Sequence, residues 1–453
     1  MSHQDVQNQP VARWLGEVVF GSLLESIPFR VDARWTPRQF VATAVLWSMG
    51  EAKTLTDRFE AARQQALALL PGPEAAVGAS YQAFLKMLSV WSDVLIPLLL
   101  RWTQQRMASA ARGFLDSSGF VLLGIDGSRI AVPRTADNEQ ALAAGLNPAC
   151  RLRGRRRRRA QKQAEIPSLW LTTLWHIGLG LPWRWKLGPG NASEREHLQP
   201  LLEELPEHSL ITADAGFAGY DHWKLLLQRQ VHFIVRVGRG VHLLNKLGRH
   251  ERRRDRVWLW PERAARQGQP PLKLRLVQIK TPDASVWLVT SVLSQTRLSD
   301  QAIGEIYRKR WGVEVFYRDF KETLGKRKLL SRTPEHARLE LHWSLLSLLL
   351  VTLSARLRQP EPASGGSPLK TSTSGVLRVL RRALRGLYHS LPAIHHALQQ
   401  AVVDTYRRAS KSRRPYPQRK RYSPPGKPQL ARASPLLNTL CQNTTPLYCP
   451  SYG

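Results

Sequence analysis

Three acidic side chains and one short polar pattern carry most of the chemistry this sequence could perform. Asp126 follows the apolar run Leu122-Leu123-Gly124-Ile125 and precedes Gly127-Ser128, while Asp214 follows Leu210-Ile211-Thr212-Ala213 and precedes Ala215-Gly216-Phe217. An acid directly after buried strand residues, with glycine beside it, sits at a sheet edge where a ligand has room. The same arrangement serves a turn whose Asp bonds its own backbone, so either residue alone leaves both readings open. The third acid, Glu314, belongs to the pattern Tyr307-x2-Arg310-x3-Glu314-x6-Lys321. On a helix with about 100° between residues, these four fall roughly 40° to 100° from Ile306. They form a narrow polar stripe beside the apolar one made by Ile306, Val313, Phe316, Tyr317, Phe320 and Leu324. One carboxylate flanked by a phenol and two cations suits a place where metal ions meet phosphates. Spaced salt pairs on a solvated face would have the same composition.

Several elements must position these residues. The polar stripe needs a single helix from an N-cap at Ser299 to a stop at Gly325, about seven turns long. Ahead of it, short apolar runs predict strands at Phe120 to Ile125, Leu169 to Leu179, Trp183 to Leu187, Ser209 to Ala213 and His232 to Val237. Helices are predicted at Ser193 to Leu205 and Tyr220 to Gln230. Strand, strand, strand, helix, strand, helix, strand, then a long helix is the order of a ribonuclease-H-like sheet. Alternation at Leu272, Leu274 and Leu276 and the β-branched run after Val286 predict a β-rich insertion before the last helix. The fold class expected is α+β: a ribonuclease-H-like mixed sheet with flanking helices, interrupted by that insertion, with helical N- and C-terminal regions.

The expected organisation is a helical N-terminal domain over 1–115, a catalytic core over 116–238 and 296–358, and the insertion at 239–295. A Pro/Gly/Ser linker covers 359–374, a basic helical region 375–408, and a basic tail, expected to be disordered, 409–453. The chain has 67 Lys and Arg against 34 Asp and Glu, a net charge of +33, which favours polyanionic partners. The densest cluster, Arg155, Arg156, Arg157, Arg158 and Arg159, lies between the first two strands and suits contact with a DNA backbone. The apolar run Leu341 to Ser354 is too short to span a bilayer and is expected to be a buried helix. The first ten residues are polar, so a cytoplasmic, DNA-associated protein with no membrane partner is expected. Three cysteines are too few for a disulfide framework, and no Walker-type loop calls for a nucleotide cofactor.

The spacing of Tyr307, Arg310, Glu314 and Lys321 resembles that of the bacterial insertion-sequence transposases of the DDE class, in the "IS-four" group named for this signature. Asp126-Gly127-Ser128 with Val132-Pro133-Arg134-Thr135 and Asn138 is similar to the block around that family's first acid. Asp214-Ala215-Gly216-Phe217 is similar to the second, where Ala215 stands in place of the family's usual arginine. Val286 to Ser291 resembles the strand whose tryptophan, here Trp287, stacks into the space left by a flipped base. The resemblance covers about Phe120 to Trp343. It implies that Asp126, Asp214 and Glu314 are catalytic acids holding two Mg²⁺ ions, with Mn²⁺ able to substitute. It implies that Tyr307, Arg310 and Lys321 bind phosphates at the transposon end. Cut-and-paste transposition on double-stranded DNA, release through a hairpin and a homodimer on DNA are then expected, in the cytoplasm of a bacterium. The competing readings are a ribonuclease-H-like nuclease or resolvase without strand transfer, and a domesticated DNA-binding protein that no longer cuts.

Overall fold

The computed structural model describes residues 10–19, 23–24, 27–29, 34–70, 78–111, 113–142, 166–250, 255–280, 285–360, 370–403 and 426–449. The arginine cluster Arg155 to Arg159 and most of the proline-rich linker lie outside the described residues.

The architecture is mixed α+β, built on one ten-stranded sheet. Its central part consists of β1 (Val121–Ala131), β2 (Ser168–His176), β3 (Leu181–Pro189), β4 (Ser209–Ala213) and β5 (His232–Val237). These strands lie in the order β5-β4-β1-β2-β3. β1, β4 and β5 run parallel, while β2 and β3 are antiparallel additions. The parallel strands are almost continuously apolar, as strands covered on both faces must be. Val121, Leu123, Ile211, Phe233 and Val235 are all buried.

The insertion is not a separate body. Its strands β6 (His242–Lys246), β7 (Arg256–Leu259), β8 (Leu272–Lys280) and β9 (Ser285–Thr290) extend the same sheet, with β9 antiparallel to β5. The expectation of a disordered tail over 409–453 fails at 426–449. There β10 (Gln429–Arg432) pairs in parallel with β6, and the helix Pro435–Cys441 buries Leu437 and Cys441. A sheet edge needs a partner for its backbone groups, and this basic, proline-rich segment supplies one. Composition alone could not show that.

Helices α1 (Pro10–Val19), α2 (Pro37–Met49), α3 (Leu55–Leu69) and α4 (Tyr81–Ala110) form the N-terminal layer. Thr36 and Gln39 close a reciprocal cap at the start of α2, with Pro37 in its first turn. This layer shares its core with α11 (Pro334–Arg356), the run expected to be a buried helix, and with the C-terminal helices Thr373–Leu384 and Leu391–Gln399. Trp343 Nε1 donates to Ser92 Oγ at 2.9 Å and Trp14 Nε1 to Ser354 Oγ at 3.3 Å, so the first and last helices of this layer both close on α11. Among the described residues one helix, α4, is long and apolar enough to cross a membrane; here it packs against α11.

Candidate active site

Register brings the first two acids level. β1 and β4 pair Leu123 with Ile211 and Gly124 with Thr212, so Asp126 and Asp214 each stand two residues beyond the last pair. Adjacent strands are only about 5 Å apart, which makes these two carboxylates neighbours. Asp126 does not end its strand, as the sequence suggested. β1 continues to Ala131, paired with β2 alone, so the acid sits where β4 leaves β1. Asp214 does form the turn that its sequence allowed: Oδ1 accepts from Gly216 N at 2.8 Å.

The helix expected from Ser299 to Gly325 is two helices, α9 (Asp300–Lys309) and α10 (Gly312–Glu322). Ser299 caps the first, accepting from Ala302 N at 3.1 Å, and Gly325 follows the second at φ +70°. Between them Trp311 N bonds Arg308 O and Val313 N bonds Arg310 O, a tightened i to i−3 turn in place of the α ladder. The cause is local packing. A β-carbon on Gly312 would stand 3.1 Å from Trp175 Nε1, so only glycine lets the chain pass this close to β2.

This break places Arg310 at the centre of the site. Its stem lies over Gly124, its Nη2 bonds Glu314 Oε1 at 3.0 Å, and its guanidinium sits 5.7 Å from the Tyr307 ring. Burial works against its charge but is outweighed by Tyr307, Asp126, Glu314 and Asp214. Burial pushes the Asp126 carboxyl up to about 6, opposed by Arg310 and the Gly127 amide and assisted by Glu314 and Asp214. Lys321 reaches back to β1 and donates to Ser128 Oγ at 2.7 Å. Tyr317 is buried, and its hydroxyl donates to the backbone oxygen of Asp126 at 2.7 Å, tying α10 to the first acid's strand.

Two residues here went unnoticed in the sequence. Glu194 opens α6 (Glu194–Leu201), and its carboxyl is pushed up to about 7 by burial, Asp126 and Asp214, against Arg310. The next residue, Arg195, donates to the carbonyls of Gly216 and Ala218 at 2.6 and 3.0 Å. It brings a positive charge to the loop where Ala215 lacks one. The available signal was the acid-rich start of the helix after Gly190, but nothing in its spacing linked it to Asp126 or Asp214.

Trp287 pairs with Val237 on β5, at the same end of the sheet as Asp214. It is half-buried, with Lys427 Nζ 5.4 Å from its ring centre. Among the described residues, no three His, Cys, Asp or Glu side chains are gathered closely enough to hold a metal ion. The donor set nonetheless suits a hard divalent cation, because all its free ligand atoms are carboxylate oxygens.

The mixed sheet thus sets Asp126 and Asp214 level on neighbouring parallel strands, faced by Glu314 and cations on a broken helix. The sequence profile of the transposase DDE domain matches residues 120–350, just over half of the chain. The chain belongs to the DDE transposase family. It is similar to the transposase InsG for insertion sequence element IS4 from Escherichia coli strain K12, with 25% identity over 290 residues. That match covers 60% of this chain and 61% of InsG. A putative transposase for insertion sequence element IS4SA from Synechocystis is 21% identical over 183 residues, covering 39% of this chain and 51% of that protein. The chain thus spans less than two thirds of either relative, and the resemblance to the IS4 group is upheld at the level of family. A piggyBac transposase in a synaptic complex with hairpin DNA overlays on 89% of this chain and 84% of its own at 11% identity, but with a TM-score of only 0.37.

Proposed function

We propose that the chain is a metal-dependent DNA transposase with a ribonuclease-H-like core. It cuts a strand at each transposon end and joins the freed 3′-hydroxyl to target DNA. The observation that carries this reading is the register that sets Asp126 level with Asp214, with Glu314 held opposite by the Tyr317 bond. In this reading Asp126, Asp214 and Glu314 would hold two Mg²⁺ ions, or Mn²⁺ in their place. Bound there, the ions would stabilise both the attacking and the leaving oxygen of an in-line displacement. Glu314 meets Arg310 through Oε1 alone, so its other oxygen would serve a metal while the guanidinium keeps further donors for phosphate. Lys321, oriented by Ser128, takes a second phosphate, and Tyr307 and Arg310 position the transposon end. Trp287 fills the space of a displaced base. Arg155 to Arg159 hold the DNA backbone and the N-terminal layer binds the ends, with the protein acting as a homodimer in the bacterial cytoplasm.

Asp126→Asn, Asp214→Asn and Glu314→Gln should each lower Mg²⁺-dependent plasmid cutting by a factor on the order of 10³ or more. Retardation of the same DNA in a gel should stay within about threefold of the parent. Cutting that survives all three changes would end the three-acid reading. Products joined to a second plasmid distinguish a transposase from a nuclease.

A further inference from the structure

Glu194 stands apart from the other acids on this face because of where its oxygens lie. A β-carbon added to Gly127, the residue after Asp126, would meet Glu194 Oε1 at 2.3 Å. A β-carbon on Gly216, two residues after Asp214, would lie 2.9 Å from Asp214 Oδ1 and 3.8 Å from Glu194 Oε2. The two glycines therefore open a space into which this carboxylate fits, one oxygen against each aspartate loop. Its place in the first turn of α6 brings it there, while β3 and β2 carry the helix.

The cation felt here is shared: the Arg310 guanidinium acts on Glu194 as well as on Asp126, Asp214 and Glu314. Arg195 is engaged with the Gly216 and Ala218 carbonyls, and the hydrogen bond of Arg310 goes to Glu314. Among the described residues Glu194 has no ion pair of its own. Four carboxylates, Asp126, Asp214, Glu194 and Glu314, around one guanidinium leave negative charge in excess, which is costly unless something positive joins them. Glu196, two residues on, is exposed and differs in this respect.

We propose that Glu194 is a fourth carboxylate ligand of the divalent-metal site, on the side shared by Asp126 and Asp214. This rests on the reading of Asp126, Asp214 and Glu314 as metal-binding acids.

The test is binding of Mn²⁺ alone to the full chain, followed by the loss of the free-ion electron paramagnetic resonance signal. Glu194→Gln should weaken binding about tenfold or more, as Asp214→Asn does, and Glu196→Gln should leave it unchanged. Glu194→Asp, which keeps the charge on a shorter arm, should fall between. Thermal melting without metal shows whether each variant is folded; if Glu194→Gln is not, Gly127→Ala displaces the same carboxylate without removing charge and should weaken Mn²⁺ likewise. If Glu194→Gln binds Mn²⁺ like the parent while Asp126→Asn and Asp214→Asn do not, Glu194 is no ligand and the three-acid site stands. If the parent and the aspartate variants bind equally, or none binds, the three-acid reading fails and takes this proposal with it.

Discussion

Arg310 and Lys321 share a face with Glu314 but differ in what they can do. Arg310 offers a planar fork already engaged by Glu314 at 3.0 Å, whereas Lys321 offers a point charge fixed by Ser128 at 2.7 Å. In the proposed function both would grip phosphates on either side of the acids rather than carry the reacting atoms. Arg310→Ala and Lys321→Ala should therefore weaken binding to transposon ends about tenfold and slow cutting at limiting DNA. Raising the DNA to saturation should restore part of the rate, because lost binding yields to concentration and lost ligands do not. A variant that binds ends normally and stays inactive at saturation would move its residue into the chemical step. Arg310→Lys should resemble Arg310→Ala, since it loses the fork.

Among the elements, the loop after α10 is held by a buried charge cluster. Glu340 on α11 accepts from Leu330 N, Ser331 N and Ser331 Oγ, with Lys326 Nζ at 3.6 Å and Arg58 Nη1 of α3 at 4.0 Å. Burial pushes Lys326 down to about 8, although Glu340 opposes the shift. Glu340→Ala would strand that ammonium and three donors, and should cost about 3–5 kcal/mol in urea unfolding. A loss below about 1 kcal/mol would mean the cluster contributes little. The sequence made much of this layer legible. β4 and β5 fall where their apolar runs begin and end, and the spacing of Tyr307, Arg310, Glu314 and Lys321 pointed to the site. The helix break was hidden because Gly312 is a tolerable helix residue until Trp175, 137 positions earlier, lies against it. Glu194 was hidden for the same reason: its meaning comes from Gly127 and Gly216, contacts that periodicity cannot express.

For the whole molecule, two buried imidazoles set an acid limit. His176 Nδ1 accepts from Leu179 N at 3.2 Å, which requires the neutral ring, and His232 lies against Ser291 Oγ at 3.2 Å. Burial lowers both to about 4 from the usual 6.5. The unfolded chain takes up these protons first. Their contribution is therefore complete above about pH 6.5 and is lost as pH falls toward about 4. The urea midpoint should drop between about pH 7 and about pH 5, and a flat profile would show that neither ring is held neutral. The position of α11 has a different consequence, one of timing. Phe40 on α2 and Ser92 on α4 both meet Trp343 of α11, and α11 starts 285 residues after Met49, the end of α2. At 5–20 residues per second a ribosome takes roughly 15–60 s to cover that distance. For that interval the emerging chain carries the apolar faces of its first helices uncovered, beside a sheet still being made. Chaperone capture and self-association compete with folding during synthesis, so the rate of translation across the sheet helps set how much active protein a cell obtains.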